Sequence, residues 1–217
     1  MNEEEKEYYR FSKKAFAFWA PFYDFFASPI SRVRGAVVDS IGAPEGSLIL
    51  DACTGTGKQA FAFAKKGYDV IGVDLSEDML AVAKKKNTFE NARFESADAT
   101  RLRFENDMFD VACVSFALHD MPLTIRAKVL EEMLRVTKPE GVIAVVDYAL
   151  PENSIGRFLV LQAVKLYEGS YYPQFIKTDV GALLKDAGIM IQKEQRLLFG
   201  AGRFFKGLKT KIRSIAS

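Results

Sequence analysis

The sequence predicts a doubly wound α/β domain, in which helices cover both faces of a parallel sheet. Strand-like and helix-like segments alternate between residues 47 and 148, an order that is typical of βαβ units. The strand-like segments are nearly continuous apolar runs, such as DVIGVD at residues 69–74, and such runs are expected when a sheet is buried on both faces. A glycine-rich turn follows the first strand, at the edge where sheets of this class bind ligands.

The predicted elements follow one another with short connections. Ser76 is a suitable N-cap for the second helix, because its hydroxyl can accept a backbone N–H of the first turn. In chain order the predictions are strand Ser47–Asp51, helix Lys58–Lys66, strand Asp69–Asp74, helix Glu77–Lys86, strand Ala92–Ala97, strand Asp110–Phe116, helix Thr124–Val136, which Pro139 stops, and strand Gly141–Tyr148.

Two segments flank this core within what we expect to be a single domain, residues 1–217. Residues 1–41 are aromatic and helix-like, and they predict an N-terminal helical lid over the mouth of the sheet. Residues 151–217 predict a substrate-side insertion followed by the C-terminal strands, with a helix over Thr178–Ala187 and extended structure over Ile189–Phe199. Residues 45–150 then form the ligand-binding core.

Composition excludes several classes of protein. The net charge of the 217 residues is +2, which does not indicate a nucleic-acid partner. Cys53 and Cys113 lie in strand-like segments and neither has the spacing of a zinc site, so we expect a reducing compartment, no disulfide framework and no metal. The acidic N-terminus is unlike a secretory signal, and no apolar run approaches the roughly 20 residues of a membrane span. These observations predict a cytoplasmic protein.

The C-terminal segment is basic and partly apolar. Arg203, Lys206 and Lys209 are interleaved with Phe204 and Phe205, and further basic residues follow. We interpret this segment as a solvated end, with peripheral contact to an anionic membrane surface as the alternative. Both a monomer and a homodimer stay open.

The turn in LDACTGTGKQA, residues 50–60, could hold one of three nucleotide ligands. A P-loop is excluded, because Gly57-Lys58 is followed by Gln59 and Ala52 stands at the position of the first glycine. A dinucleotide turn matches G-x-G-x-x-A, with an acid at Asp74. However, Asp51 ends the strand, and a carboxylate there would repel a pyrophosphate.

The third ligand, S-adenosylmethionine, carries a sulfonium and an ammonium and has no phosphate. A carboxylate at Asp51 would attract these cations, and the two glycines would allow close approach of the backbone. Asp74 could accept both ribose hydroxyls, Met79 could lie against adenine, and the pair Asp98-Ala99 could meet its amino edge. Ser115 to His119, after the fourth strand, would face the reacting end.

Three stretches together resemble the class I S-adenosylmethionine-dependent methyltransferases: LDACTGTGKQAFAFAKKGYDVIGVDLSEDMLAVAKKK, then FESADATRLRFENDMFDVACVSFALHDMP, then EEMLRVTKPEGVIAVVDYALPEN. The pattern is similar to the type-11 group and to the ubiquinone/menaquinone-biosynthesis methyltransferases, which share RVTKPEG and a Tyr-Asp pair, here Tyr23-Asp24. That subgroup has an Arg-Asn pair after the fourth strand, where this chain has His119-Asp120. The resemblance implies a mostly parallel seven-stranded sheet whose last strand forms an antiparallel hairpin, with residues 189–203 as the sixth and seventh strands.

The candidate site follows from these interpretations. We predict His119 as the general base, since its ring titrates near neutral pH, and Tyr23 as a second catalytic residue. Tyr9 and Trp19 are expected in the lid. The predicted cofactor-binding residues are Asp51, Thr54, Gly55, Thr56, Gly57, Asp74, Leu75, Met79, Asp98, Ala99 and Ser115.

The predicted function is transfer of a methyl group from S-adenosylmethionine, leaving S-adenosylhomocysteine, to a small acceptor. The many Phe and Tyr residues outside the core favour an apolar or aromatic acceptor, such as a quinone precursor, over a sugar or nucleic acid. Two alternatives stay open at this point: an NAD-linked oxidoreductase and a non-catalytic protein that binds S-adenosylmethionine.

Overall fold

A computed structural model describes residues 2–10, 31–164 and 171–209 of the chain. Its strands, in chain order, are β1 (Leu48–Ala52), β2 (Asp69–Asp74), β3 (Ala92–Ser96), β4 (Phe109–Ser115), β5 (Thr137–Tyr148), β6 (Ile189–Leu197) and β7 (Gly202–Lys209). They form one sheet in the order β3-β2-β1-β4-β5-β7-β6. The first five strands are parallel, and β7 is antiparallel to both β5 and β6. The predicted mostly parallel, seven-stranded sheet is confirmed.

The helices of the described residues cover both faces of this sheet. One apolar core joins the helices over Ser31–Ile41, Lys58–Lys65 and Glu77–Lys86 to one face. A second core joins the helices over residues 3–10, Leu123–Val136 and Val180–Asp186 to the other face. Neighbouring residues in a strand point to opposite cores, as Ile49 and Leu50 do in β1. The bounds are α1 (residues 3–10), α2 (Ser31–Ile41), α3 (Lys58–Lys65), α4 (Glu77–Lys86), α5 (Leu123–Val136), α6 (Ser154–Val164), α7 (Tyr172–Phe175) and α8 (Val180–Asp186).

Helix α4 shows why the predicted bounds in this region are correct. The Ser76 hydroxyl accepts the Met79 N–H at 3.3 Å and so caps the helix. Acidic residues occupy its first turn and lysines its last turn, which complements the helix dipole. Helix α8 begins two residues later than predicted, because the Asp179 side chain is its N-cap.

Strand β5 begins directly after α5, at Thr137 and not at the predicted Gly141. The Thr137 hydroxyl donates to the Met133 carbonyl at 2.6 Å and covers the end of the helix. Glu140 has a φ of 66°, and the pairing with β4 shifts register near this point. The irregular start of β5 explains why the sequence pattern indicates a strand only from residue 141.

The seventh strand lies later in the chain than predicted, over Gly202–Lys209. Phe204 and Phe205 are buried in the two cores, so neither belongs to a solvated end. Gly202 pairs with Tyr148, at the carboxyl end of β5. Lys209 donates to the Thr137 carbonyl at the other end of that strand. The basic residues through Lys209 therefore belong to the sheet, and residues 210–217 lie outside the described part of the chain.

The sheet reverses its strand order between β1 and β4. From β1 the chain moves outward to β2 and β3, and it then returns to place β4 on the other side of β1. A crevice forms at the carboxyl ends of the strands where such a reversal occurs. In the described ranges, no helix combines the length and the apolar character that crossing a membrane requires.

Candidate functional site

A cavity opens at the carboxyl ends of β1, β2 and β4, at the reversal of the strand order. The turns after β1, β2, β3 and β4 line it, together with residues from α1, α2 and α5. Its lining residues are Tyr8, Tyr9, Arg34, Asp51, Cys53, Thr54, Gly55, Thr56, Lys58, Gln59, Asp74, Leu75, Ser76, Met79, Ala97, Asp98, Ala99, Thr100, Ser115, Phe116, Ala117, Asp120, Met121, Ile125 and Val129.

The glycine turn between β1 and α3 forms one wall of the cavity. Gly55 has a φ of 55°, and a Cβ at this position would meet no atom within 4 Å. Gly57 has a φ of 82° and precedes α3, but a Cβ there would lie 2.9 Å from the rings of Phe61 and Phe94. Gly55 therefore presents open backbone to the cavity, whereas Gly57 allows the turn to pack against two aromatic rings.

Asp51 lies at the base of the glycine turn and is fully buried. Its carboxylate accepts the Thr54 hydroxyl at 2.5 Å. Burial raises the pKa of Asp51 to about 7, and the Thr54 hydroxyl and the Arg34 guanidinium oppose this rise. The carboxyl therefore changes its charge close to neutral pH.

Asp74, at the end of β2, connects two turns of the cavity wall. One carboxylate oxygen accepts the Gly55 N–H and the other accepts the Ser76 N–H, each at 2.8 Å. Burial raises the pKa of Asp74, and backbone N–H groups, those of Ser76 and Gly55 first, partly offset the rise. Each carboxylate oxygen has lone-pair capacity beyond one backbone donor, so Asp74 can still accept a hydroxyl from a ligand.

Asp98, after β3, is held by both neighbouring and distant groups. Its Oδ1 accepts the backbone N–H and the hydroxyl of Thr100, at 2.9 and 2.7 Å. Its Oδ2 accepts the Tyr9 hydroxyl from α1 at 2.8 Å. Burial raises the pKa of Tyr9 to about 12, so the phenol stays protonated and donates. These bonds fix α1 against the cavity edge near β3.

The structure brings together most of the residues that the sequence predicts for cofactor binding. Gly57 is the exception, because it packs behind the turn and does not line the cavity. Tyr23 and Trp19 lie outside the described residues. The predicted cofactor residues that line the cavity are Asp51, Thr54, Gly55, Thr56, Asp74, Leu75, Met79, Asp98, Ala99 and Ser115.

His119 lies in the turn after β4 but its ring does not line the cavity, which corrects its predicted position facing the reacting end. The residue is only 3% exposed. Its Nδ1 lies 2.7 Å from Oδ1 of Asp147, at the end of β5. The rings of Tyr148, Tyr172 and Phe175 pack around it, with centroids 4.8 to 6.3 Å away. The neighbouring residue Asp120 lines the cavity instead.

Sequence reasoning missed several residues that line the cavity. Arg34 belongs to α2, which precedes β1 by several residues, and no motif singles it out. It is 8% exposed, and its charge acts on the Asp51 carboxyl. Tyr8, Ile125 and Val129 supply apolar and aromatic walls from helices on the other face of the sheet. The only available signal for Asp120 was its position beside His119.

The charges of the cavity favour a cationic ligand. Four carboxylates line it, from Asp51, Asp74, Asp98 and Asp120, whereas the cationic lining residues are Arg34 and Lys58. A pyrophosphate would meet two acids at the glycine turn, the buried Asp51 and the half-buried Asp74. Residues 2–10, 31–164 and 171–209 contain no group of three His, Cys, Asp or Glu residues able to hold a metal ion.

Residues 49–141 match the family described as methyltransferase domain. The demethylmenaquinone methyltransferase of Renibacterium salmoninarum is 38% identical to this chain over 137 residues. That alignment covers 61% of this chain and 56% of the relative. The chain thus spans little more than half the length of this curated relative.

Solved structures share the fold at low sequence identity. A SAM-dependent methyltransferase from Aquifex aeolicus superposes with a TM-score of 0.64 at 22% identity, covering 82% of this chain and 89% of that one. Magnesium protoporphyrin IX methyltransferase from Synechocystis, solved with bound S-adenosylhomocysteine, gives a TM-score of 0.66 at 19% identity and covers 83% of each chain. These similarities identify the fold as that of the Rossmann-like methyltransferases.

Proposed function

We propose that this chain transfers the methyl group of S-adenosylmethionine to a small apolar or aromatic acceptor, a proposal supported by the match of residues 49–141 to a methyltransferase domain and by the shared fold. The observation that carries the proposal is the pair of acids at the glycine turn. Asp51 and Asp74 both line the cavity and lie on either side of Gly55, whose backbone faces open space. This arrangement suits a cationic adenosyl compound better than a phosphorylated one.

The residues of the cavity fit S-adenosylmethionine. Asp74 would accept the ribose hydroxyls, Met79 would lie against the adenine, and Asp98 with Ala99 would meet the adenine edge. Asp51 would pair with the ammonium group, because its carboxylate is negative when ionised and lines the cavity. Arg34 adds a cation beside Asp51 and would pair with the carboxylate of the methionine portion.

The bound cofactor supplies a methyl group on a positively charged sulfur. The residues of this chain have to hold an acceptor in line with that methyl and exclude water. Tyr8 and Tyr9 of α1 lie at the cavity and present aromatic rings near the site, and the face of such a ring attracts a cation. This placement supports the predicted helical lid over residues 3–10.

The acceptor that we propose is a quinone precursor. Phe116, Met121, Ile125 and Val129 give the cavity an apolar wall on the side of β4 and α5, and such a wall suits an aromatic ring. The curated relative acts, by its name, on demethylmenaquinone. Demethylmenaquinone in its reduced, hydroquinone form is therefore the first acceptor to test.

Binding and turnover test this proposal in two steps. Calorimetry should detect binding of S-adenosylmethionine and S-adenosylhomocysteine and no binding of NADH. Incubation with S-adenosylmethionine labelled in the methyl group and reduced demethylmenaquinone should then give a labelled product by mass spectrometry. Binding of NADH alone would favour the oxidoreductase. Binding of the cofactor without turnover on this acceptor or on a lipid and metabolite extract would favour a non-catalytic binding protein.

We also propose that no membrane contact through the segment 203–209 is needed for this activity. Arg203, Lys206 and Lys209 belong to a strand inside the sheet, and Lys209 lies at the end of β7 away from the cavity. The acceptor is a small molecule in this proposal.

A further inference from the structure

A buried array of three side chains connects the end of β5 to the cavity. The Asp147 carboxylate accepts the backbone N–H of His119 at 3.2 Å and that of Tyr148 at 2.8 Å. Its Oδ1 also lies 2.7 Å from Nδ1 of the His119 ring. On the other side of the ring, Nε2 lies 3.6 Å from Oδ2 of Asp120.

The partners of Asp147 determine which ring nitrogen of His119 carries the proton. A carboxylate that accepts backbone N–H groups is an acceptor toward the ring as well, so Nδ1 is the protonated nitrogen of the neutral imidazole. Nε2 then carries the lone pair and lies 3.6 Å from Oδ2 of Asp120, which is an ion-pair distance and longer than a hydrogen bond. Once Nε2 binds a proton, Asp120 and Asp147 would both stabilise the imidazolium.

Asp120 is the member of the array that meets the cavity. Its side chain is 22% exposed and lines the cavity, whereas the side chain of His119 is 4% exposed and does not. Resting on the proposed methyl transfer, we propose that Asp120 takes the proton of the acceptor and that His119 and Asp147 are positioning residues that receive it and hold its charge.

The transfer balances in atoms and charge. The bond between the acceptor and its proton breaks, the sulfur–methyl bond breaks, and a bond forms between the acceptor and the methyl group. The positive charge of the sulfonium is replaced by the released proton. That proton goes first to the carboxylate of Asp120, then to Nε2 of His119, and finally to solvent through Asp120 after the product leaves.

The surroundings of the array keep water away from the ring. Tyr148, Tyr172 and Phe175 pack around His119 from β5 and α7. The charged groups that face the array are Asp120, Asp147 and Arg126, and the guanidinium of Arg126 donates to the Leu118 carbonyl at 2.8 Å and acts electrostatically on Asp147. Because Asp147 occupies the Nδ1 side of the ring, a second proton would bind at Nε2, on the side of Asp120.

A purely structural role for His119 and Asp147 makes a different prediction. In that case the pair only fixes the turn Leu118–Asp120, and replacing Asp120 has no effect on kcat. His119 is the only histidine of the chain, so nitrogen NMR of untagged protein labelled in histidine observes this ring alone. The experiment needs no acceptor.

We expect the wild-type spectrum to show Nδ1 protonated and Nε2 unprotonated at high pH. The Asp120→Asn variant should lower the titration midpoint of the ring by about one pH unit, because one of two stabilising carboxylates is lost. Asp186→Asn, an exposed change on α8, should leave it unchanged. A ring protonated on Nε2, or a midpoint that Asp120→Asn does not move, would overturn the proposal.

Turnover of reduced demethylmenaquinone gives the second readout. Asp120→Asn should lower kcat about 100-fold or more, as loss of a general base does, and Asp120→Glu should recover part of the rate. An unchanged kcat in Asp120→Asn would reject the catalytic assignment. If wild-type protein methylates no acceptor, the proposed function fails, and the NMR result still decides whether the array exists.

Discussion

The carboxylate of Asp74 accepts the backbone N–H of Gly55 at 2.8 Å, so the end of β2 is bonded to the glycine turn that follows β1. Its second oxygen is bonded to Ser76, at the start of α4. One side chain thus fixes two loops whose relative position defines the cavity. A ligand hydroxyl that binds Asp74 would meet a carboxylate that is already oriented.

Replacing Asp74 with Ala should therefore weaken binding of S-adenosylmethionine more than it weakens folding. Loss of charge-assisted hydrogen bonds of about 1.5–3 kcal/mol predicts a Kd at least ten-fold higher, measured by calorimetry. Asp69→Ala, an exposed change at the start of the same strand, is the matched control and should leave the Kd unchanged. An equal Kd in Asp74→Ala and wild type would mean that the cofactor does not use this carboxylate.

Asp51 should make the stability of the empty protein depend on pH. Its pKa is about 7 in the folded protein and near 3.8 in the unfolded chain. Between these values the folded state binds more protons, so the free energy of unfolding should fall as pH rises from about 4 to about 7, by up to about 1.4 kcal/mol per pH unit. Asp51→Asn should remove this part of the slope in urea unfolding at pH 5 and pH 8.

The same titration should appear in ligand binding. An ionised Asp51 attracts the ammonium group of S-adenosylmethionine, so the affinity of wild-type protein should rise as pH increases through about 7. In Asp51→Asn the affinity should be lower and nearly flat over this range. A wild-type affinity that stays constant from pH 6 to pH 8 would argue against contact between Asp51 and the ammonium group.

Tyr9→Phe should loosen α1 from the cavity. The substitution removes the hydroxyl that donates to Asp98 and lies 3.0 Å from the Thr100 hydroxyl. We expect about 1 kcal/mol less free energy of unfolding and a Kd for the cofactor several-fold higher. Tyr68→Phe is a useful comparison, because its hydroxyl bonds the Ala43 carbonyl and its loss should lower stability without changing the Kd. If both variants change the Kd alike, α1 has no particular role at the site.

Substitutions of the two glycines of the turn should affect the stability of the fold and the Kd for the cofactor to different extents. Gly57→Ala forces a side chain to a φ of 82° and against two rings at 2.9 Å, so we expect a loss of about 2 kcal/mol in thermal or urea unfolding. Gly55→Ala meets open space and should lose about 1 kcal/mol. Its added methyl group faces the cavity, so it should raise the Kd for the cofactor more strongly than Gly57→Ala. A larger loss of stability in Gly55→Ala, or a larger rise of the Kd in Gly57→Ala, would contradict these roles.

The strands that the sequence predicts most closely are those with helices on both faces. For β2 the predicted bounds are those of the structure, and for β1 they differ by one residue at each end. The acids at the carboxyl ends of β1 and β2 and the acid after β3 line the cavity, because parallel strands bring their carboxyl ends to one edge. Pattern and topology were sufficient for these residues, since neither depends on side-chain orientation in a turn.

The sequence was less informative about turns, where small changes in the backbone torsion angles decide which way a side chain points. A short 3₁₀ turn over Leu118–Asp120 directs Asp120 into the cavity and His119 toward Asp147. No periodicity distinguishes these two orientations. The basic residues near Phe204 and Phe205 indicated a solvated end, because charge is normally a sign of exposure, yet β7 accommodates them beside two buried rings.

The direction of β7 has a practical consequence for studying the protein. The described chain leaves the sheet at Lys209, on the side remote from the cavity. A sensor chip or a fluorescent reporter coupled at this end of β7 would stand on the side of the sheet opposite the cavity. Small compounds could then reach the cavity without obstruction.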